Sequence, residues 1–321
     1  MNFATPKVVV SKCLGFDSCR YNGQKIFDPV VQLLSGHVEF ITTCPEVEIG
    51  LGVPRNPIRI VRENDKTILF QPASGNEVTG EMESYLQSFF SEIGTVDGFL
   101  LKSRSPSCGP WQVKVYSSKN AQSAQGKGAG IFGGYIVEQF EGYPVEDEGR
   151  LKNFVLREHY FTSLFTLAKF RELKEQQQMR LLVDFHTRGK LLFMAYNQDL
   201  LHKMGSVVAN HQQLPIEEVL EQYEQLLRNL CAESPKFTNM INAFQHAFGG
   251  LSPQLQSKER QFFLNSLEEY RDERIPASTL IHLLKSWAIR FENQYLLDQY
   301  LMEPYPHQLV EITDSGKGRP L

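Results

Sequence analysis

Thiolates are soft ligands and strong nucleophiles, so cysteines distant in sequence that meet in space do metal or nucleophilic chemistry. Cys13 follows the run Lys7–Val10 (KVVV), Cys44 follows Val38–Thr42 (VEFIT), and Cys108 follows Gly98–Leu101 (GFLL). Each run is short, apolar, rich in β-branched or aromatic residues, and bounded by turn residues, which is the pattern of a buried strand. In an open parallel sheet the carboxyl ends of such strands share one edge, and ligands bind in the crevice outside it. The three thiols then converge. Three thiolates with one open position suit Zn²⁺ or a [4Fe–4S] cluster. Structural zinc favours C-x₂₋₄-C pairs, and Cys13 and Cys19 are spaced too widely for that. Three isolated cysteines favour a cluster whose fourth iron lacks a protein ligand, a Lewis acid able to take a substrate atom. On spacing alone, three unrelated core or loop cysteines stand as an equal alternative. The neighbours weigh toward chemistry. SKCLGFDSCRYNG, CPEVEIGLGVPR and LKSRSPSCG bring Arg20, Glu46, Arg55, Lys102 and Arg104 beside the sulfurs, and cations and backbone amides lower thiol pKa values.

The elements that must position these loops come in two kinds. Up to about residue 150, short β-rich runs alternate with helical stretches at Pro29–Leu34 and Gly80–Ile93, and Ile58–Gln71 reads as a hairpin around Glu63–Lys66. Such alternation predicts an α/β N-terminal domain over 1–150, a parallel sheet flanked by helices. From about Asn153 apolar residues recur at helical spacing, with Pro215, Pro253 and Pro276 at positions suited to a first helical turn. This predicts an all-α C-terminal domain over 151–321 with roughly six helices. Tyr143–Arg150, with its proline and acid run, reads as the junction, and Ser315–Leu321 as a disordered tail.

The chain has 321 residues, enough for two cores. Hydrophobic residues make up 41% and charged residues 22%, as in ordinary globular proteins. A formal net charge of −4 gives nucleic acid no support as a partner, and no apolar run is long enough to span a bilayer. Five cysteines, an odd and sparse set without a secretory leader, point to a reducing cytoplasm rather than to disulfides.

The three cysteine loops resemble the signature of the DUF523 family, which includes the thiouracil desulfidases. The pattern S-x-C-L-x-G…R-Y-x-G, C-P-E…G-x-P-R and K-x-x-S-P-S-C-G falls approximately on Ser11–Gly23, Cys44–Arg55 and Lys102–Gly109. The second half resembles the DUF1722 (YbgA-like) domain through LVDFHTRGKLLFMA, INAFQHAFGGLS, IPASTLIHLLKSW and YLMEPYP. The resemblance implies a [4Fe–4S] cluster on Cys13, Cys44 and Cys108, a catalytic glutamate at Glu46 and a catalytic serine at Ser105. It implies removal of sulfur from a thiolated pyrimidine, a small-molecule substrate, with release of uracil and sulfide. The rival reading, from another class, is an iron–sulfur or metal-carrying regulatory protein whose helical half binds a partner or nucleic acid.

Other residues have plainer readings. Glu48 shares a face with Glu46 if their segment is extended, and reads as a solvated acid. Cys19 could be a fourth ligand that closes the cluster and removes the open iron, but it reads as a small packed residue, and Cys231 as buried helical packing. Arg20 and Arg55 either orient substrate or form ion pairs. Gly126, Gly128 and Gly130 could cradle an anion at a helix N-terminus, but a tight turn is the better reading. His186 shares a helical face with Lys190, and His186, His246 and His282 read as core histidines.

Overall fold

The computed structural model describes residues 3–64 and 66–311. They form two compact units, Thr5–Leu164 with Glu311 and Phe165–Val310 with Phe3 and Ala4, divided within one long helix.

The first unit runs β1 (Lys7–Ser11), α1 (Pro29–Leu34), β2 (Glu39–Thr43), α2 (Pro45–Glu48), β3 (Arg59–Glu63), β4 (Lys66–Gln71), β5 (Asn76–Glu77), α3 (Thr79–Glu92), β6 (Gly98–Leu101), β7 (Val113–Tyr116), β8 (Gly126–Gly128), α4 (Ile131–Gln139) and β9 (Val145–Asp147). Strands β2-β1-β6-β9 make a four-stranded, all-parallel sheet, with Ser11 opposite Thr43 and Val10 opposite Leu100. All three runs expected as strands are in it. Val8, Val9, Val10 and all of β6 are buried, as a central parallel strand covered on both faces requires. Asp28 starts α1 by accepting the Val30 and Val31 amides, both at 3.0 Å.

The sequence reading needs correction in one place here. Tyr143–Arg150 is no linker, because its centre is β9, paired in parallel with β6. The expected hairpin forms, with Glu63 opposite Lys66, but it belongs to a second, mixed sheet in the order β5-β4-β3-β7-β8. Between the sheets and helices, Phe132 of α4 is fully buried against the rings of Tyr85, Phe89 and Phe90 on α3. A side chain of this size stabilises by about 1.5–3 kcal/mol through burial alone, so it anchors the helix that supports the third cysteine loop.

The second unit is helical. It begins in α5 (Phe154–Gln176) and continues through α6 (Met179–Tyr196), α7 (Gln198–Ala209), α8 (Ile216–Cys231), α9 (Phe237–Gly249), α10 (Ser257–Arg271), α11 (Ala277–Arg290) and α12 (Gln294–Leu297). That is eight helices among the described residues, against the six expected. Asn197 splits one apolar stretch in two by capping α7, accepting the Asp199 and Leu200 amides, and Asn293 starts α12 in the same way. The core centres on α6, where Phe185 meets Phe170, Phe193, Tyr223 and Tyr300. Cys231 is buried on α8, as expected. His186 is half-buried and bonded to Tyr223 Oη at 3.1 Å, whereas His246 and His282 are exposed rather than core residues. The expected disordered tail lies outside the described residues.

Candidate active site

Cys13, Cys44 and Cys108 each sit just past the carboxyl end of a parallel strand, β1, β2 and β6, on one edge of the first sheet. All three are buried, all are free thiols, and all line one cleft of about 1340 Å³. The first loop returns through Ile26, whose amide bonds Cys13 O at 2.9 Å. Cys44 is the N-cap of α2, a single turn opened by Pro45 at its first position. That turn puts Glu46 into the site, buried, while Glu48 is exposed. The two carboxylates do not share a face as they would in an extended segment, because two residues along a helix turn through about 200°.

Glu46 is held at both oxygens. Arg55 Nε donates to Oε2 at 2.8 Å and Ser107 Oγ donates to Oε1 at 2.7 Å, with Ser105 Oγ farther off at 3.5 Å. Arg55 is therefore an ion-pair residue. Its Nη1 also donates to Cys19 O at 2.9 Å, and its Nη2 lies 4.0 Å from Cys44 Sγ. Ser107 Oγ is 3.7 Å from Cys108 Sγ. Acid, cation, hydroxyls and thiols thus form one connected network.

The Cys108 loop rests on α4. Gly130 N donates to Gly109 O at 2.7 Å and Gly133 N to Ser107 O at 3.0 Å. A Cβ on Gly133 would lie 2.4 Å from Cys108 O, and one on Gly130 2.4 Å from Ser107 O. These amides serve the loop rather than an anion, and Gly126 and Gly128 lie in β8. The glycines are needed for close backbone approach.

Thiol acidity differs from expectation. Burial, not the nearby cations, dominates at two sulfurs and pushes Cys44 up to about 12 and Cys108 up to about 11. Cys13 is raised by its hydrogen bond with Cys19, with burial adding to it. Cys19 moves the other way. Its bond from Cys13, helped by Cys44, outweighs burial and brings it down to about 6. Cys19 is buried, as the packing reading expects, and it also lines the same cleft, where its carbonyl oxygen accepts from Cys44 Sγ at 3.7 Å. Among the described residues, no three His, Cys, Asp or Glu side chains are grouped so as to hold one metal ion. The donor set is nevertheless soft, buried and gathered around one space. Soft thiols are the donor chemistry that zinc and iron–sulfur clusters take.

The cleft is cationic. Nine lysine and arginine side chains line it, Arg20, Arg59, Arg104, Lys114 and Lys127 among them, against the three carboxylates Glu46, Asp147 and Glu148. Glu146 pairs with Arg150 at 2.8 Å, and Glu148 pairs with Lys102 and accepts Ser103 N at 2.7 Å. Tyr21 and Trp111 add aromatic faces. Ser107, Glu148 and Arg150 were not singled out as functional by sequence reasoning. Ser107 stands within the SPSC motif and is the one that spacing to Cys108 could have found.

Fold and site define an α/β domain with three converging cysteine loops joined to a helical domain. The family model for 2-thiouracil desulfurase matches residues 8–148, and that for DUF1722, a protein of unknown function, matches residues 190–306. The chain belongs to the 2-thiouracil desulfurase family through its first half and carries a DUF1722 domain in its second. It is similar to the uncharacterized protein YbbK of Bacillus subtilis (strain 168), with 32% identity over 113 residues, 32% of this chain and 72% of that one. It is also similar to the uncharacterized protein YbgA of Escherichia coli (strain K12), with 28% identity over 155 residues, 48% of this chain and 91% of that one. A solved structure, the [4Fe-4S]-dependent thiouracil desulfidase TudS, is 28% identical and matches 46% of this chain and 93% of its own at a TM-score of 0.35. No helix among the described residues is long and apolar enough to cross a membrane.

Proposed function

We propose that this chain is a [4Fe–4S]-dependent desulfidase that takes sulfur from a thiolated pyrimidine by a reaction without net electron transfer. The observation that carries the reading is the meeting of Cys13, Cys44 and Cys108, from three strand ends, in one cleft with Glu46. Those three sulfurs would hold the cluster. When bound, it supplies a Lewis-acidic iron with affinity for a soft thiocarbonyl sulfur. Glu46 is the base. Fixed at both oxygens, it takes a proton from the water that attacks the ring carbon and returns one as sulfide departs. Thione and water become carbonyl and HS⁻, and the second proton of the water is left on Glu46. Arg55 orients Glu46, and Ser105 is the second expected catalytic group.

The test is anaerobic cluster reconstitution in the full chain, followed by sulfide assay on a panel of thiolated pyrimidines. The expected result is sulfide release that is lost with the iron in Cys44→Ser, and lost with the iron retained in Glu46→Ala. A fully loaded wild-type protein inert on every member of the panel, or an active Glu46→Ala, overturns the reading. The regulatory alternative is favoured by one observation, the presence of a fourth buried thiol, Cys19, in the same cleft, with its carbonyl oxygen 3.7 Å from Cys44 Sγ. Four thiols would close the cluster and leave no open iron. Cys19→Ala distinguishes the two, because an open-site enzyme keeps iron and turnover whereas a four-thiol sensor loses its cluster.

A further inference from the structure

Ser107 stands within a motif that carries the family resemblance, but the resemblance gives it no role. It is 1% exposed, and its hydroxyl approaches Glu46 at 2.7 Å against 3.5 Å for Ser105. Ser105 is occupied elsewhere, since its Oγ accepts the amides of Ser107 at 3.3 Å and Cys108 at 3.1 Å and lies 2.9 Å from Ser107 Oγ. A hydroxyl has one proton and two lone pairs. The carboxylate of Glu46, ion-paired to Arg55, only accepts, so the Ser107 proton points at Glu46. Ser107 must then accept from Ser105, whose lone pairs are taken by the two amides. The result is a directed chain, Ser105 to Ser107 to Glu46, in which the direct Ser105–Glu46 contact is the long one.

We propose that Ser107 is a positioning and relay residue that carries protons between Glu46 and the half-buried Ser105 at the cleft. The inference rests on the desulfidase reading. A turnover that converts thione and water to carbonyl and HS⁻ leaves one proton on Glu46. With both hydroxyls turned over and the longer amide bond to Ser105, from Ser107 N at 3.3 Å, released to free a lone pair, that proton passes to Ser107 Oγ, the Ser107 proton passes to Ser105 Oγ, and the Ser105 proton passes to water in the cleft. One proton leaves, no electron moves, and Glu46 is again a carboxylate.

The test uses the cluster-loaded full chain with 2-thiouracil as probe and compares wild type, Ser107→Ala, Ser107→Thr and Glu46→Ala. Iron content, melting temperature, kcat, KM and the solvent deuterium isotope effect are measured for each. Ser107→Ala removes one oxygen and adds no bulk. It is expected to keep its iron and its KM within about twofold while kcat falls ~10–100-fold and the isotope effect rises, with Ser107→Thr restoring both. Wild-type kcat in Ser107→Ala beside an inactive Glu46→Ala sinks the relay and leaves the desulfidase reading standing. Iron loss in Ser107→Ala, or failure of the threonine to restore turnover, also sinks the relay. Full activity in both Ser107→Ala and Glu46→Ala, or an inert wild type, removes the desulfidase reading and the relay with it.

Discussion

Arg55 is the residue on which the site's electrostatics turn. Its side chain is 4% exposed, and it reaches the Glu46 carboxylate, the Cys19 and Gly52 carbonyls and, more distantly, Cys44 Sγ. Removing one partner of a buried pair is far costlier than removing both, because the survivor is a desolvated, uncompensated charge. Arg55→Ala should therefore lose about 3–5 kcal/mol of stability. Adding Glu46→Gln in the same chain should recover much of that loss, although neither variant turns over. Denaturant melts of the single and double variants check this, and a double variant less stable than Arg55→Ala would contradict it. That the three cysteine loops share one cleft was legible from residue types and loop positions, whereas Glu46 took its expected role from the family resemblance and the ion pair of Arg55 was one of its open readings. Ser107 was not legible, because its place depends on its hydroxyl lying 2.7 Å from Glu46, and the sequence does not carry that information.

At the scale of elements, strands and helices with strong local patterns were readable, and those made by distant partners were not. Lys7–Val10 and Gly98–Leu101 are apolar enough to announce themselves. The three residues of β8 (GKG) are strand only because they pair with β7. The asparagines that break the long helical stretches were missed because a cap depends on local φ and ψ, not on hydrophobic period. The support of the Cys108 loop by α4 gives a prediction here. In Gly133→Ala the new methyl meets the carbonyls of Cys108 and Gly109 at 2.4 and 2.6 Å, both backbone atoms. The loop must move, at a cost of about 1–3 kcal/mol, and iron content after reconstitution should fall with the melting temperature. Gly126→Ala, with open space at its Cβ, should do neither. On α5, desolvation lowers His159 to about 4, while an unfolded histidine titrates near 6.5. Between those values the unfolded chain binds the proton first, so stability is lost as pH falls from about 6.5 to about 4, by up to roughly 3 kcal/mol. His159→Leu should flatten that limb of a plot of stability against pH. An unchanged slope would place the acid sensitivity elsewhere.

Across the whole molecule, net charge and local charge point in opposite directions. The chain carries −4 overall, which on its own argues against polyanionic partners. The cleft gathers nine cations against three carboxylates, two of which, Glu46 and Glu148, are ion-paired to Arg55 and Lys102. A concave, low-dielectric wall of one sign focuses its field on what enters, and the attraction weakens as salt shortens the screening length from ~10 Å at 0.1 M to ~3 Å at 1 M. Composition averages over this arrangement, because the cations come from loops and strands far apart in sequence that are gathered only by the two sheets. A thiopyrimidine bearing a phosphate should therefore bind more tightly than the bare base at low salt. Its KM should rise about 3–10-fold between 0.05 and 0.5 M salt while that of the base barely moves. Paired Lys114→Gln and Lys127→Gln substitutions, on facing strands β7 and β8, should remove part of that salt dependence without touching turnover of the base. Equal salt sensitivity for the two substrates would mean that the cations stabilise the loops themselves and do not act on what the cleft receives.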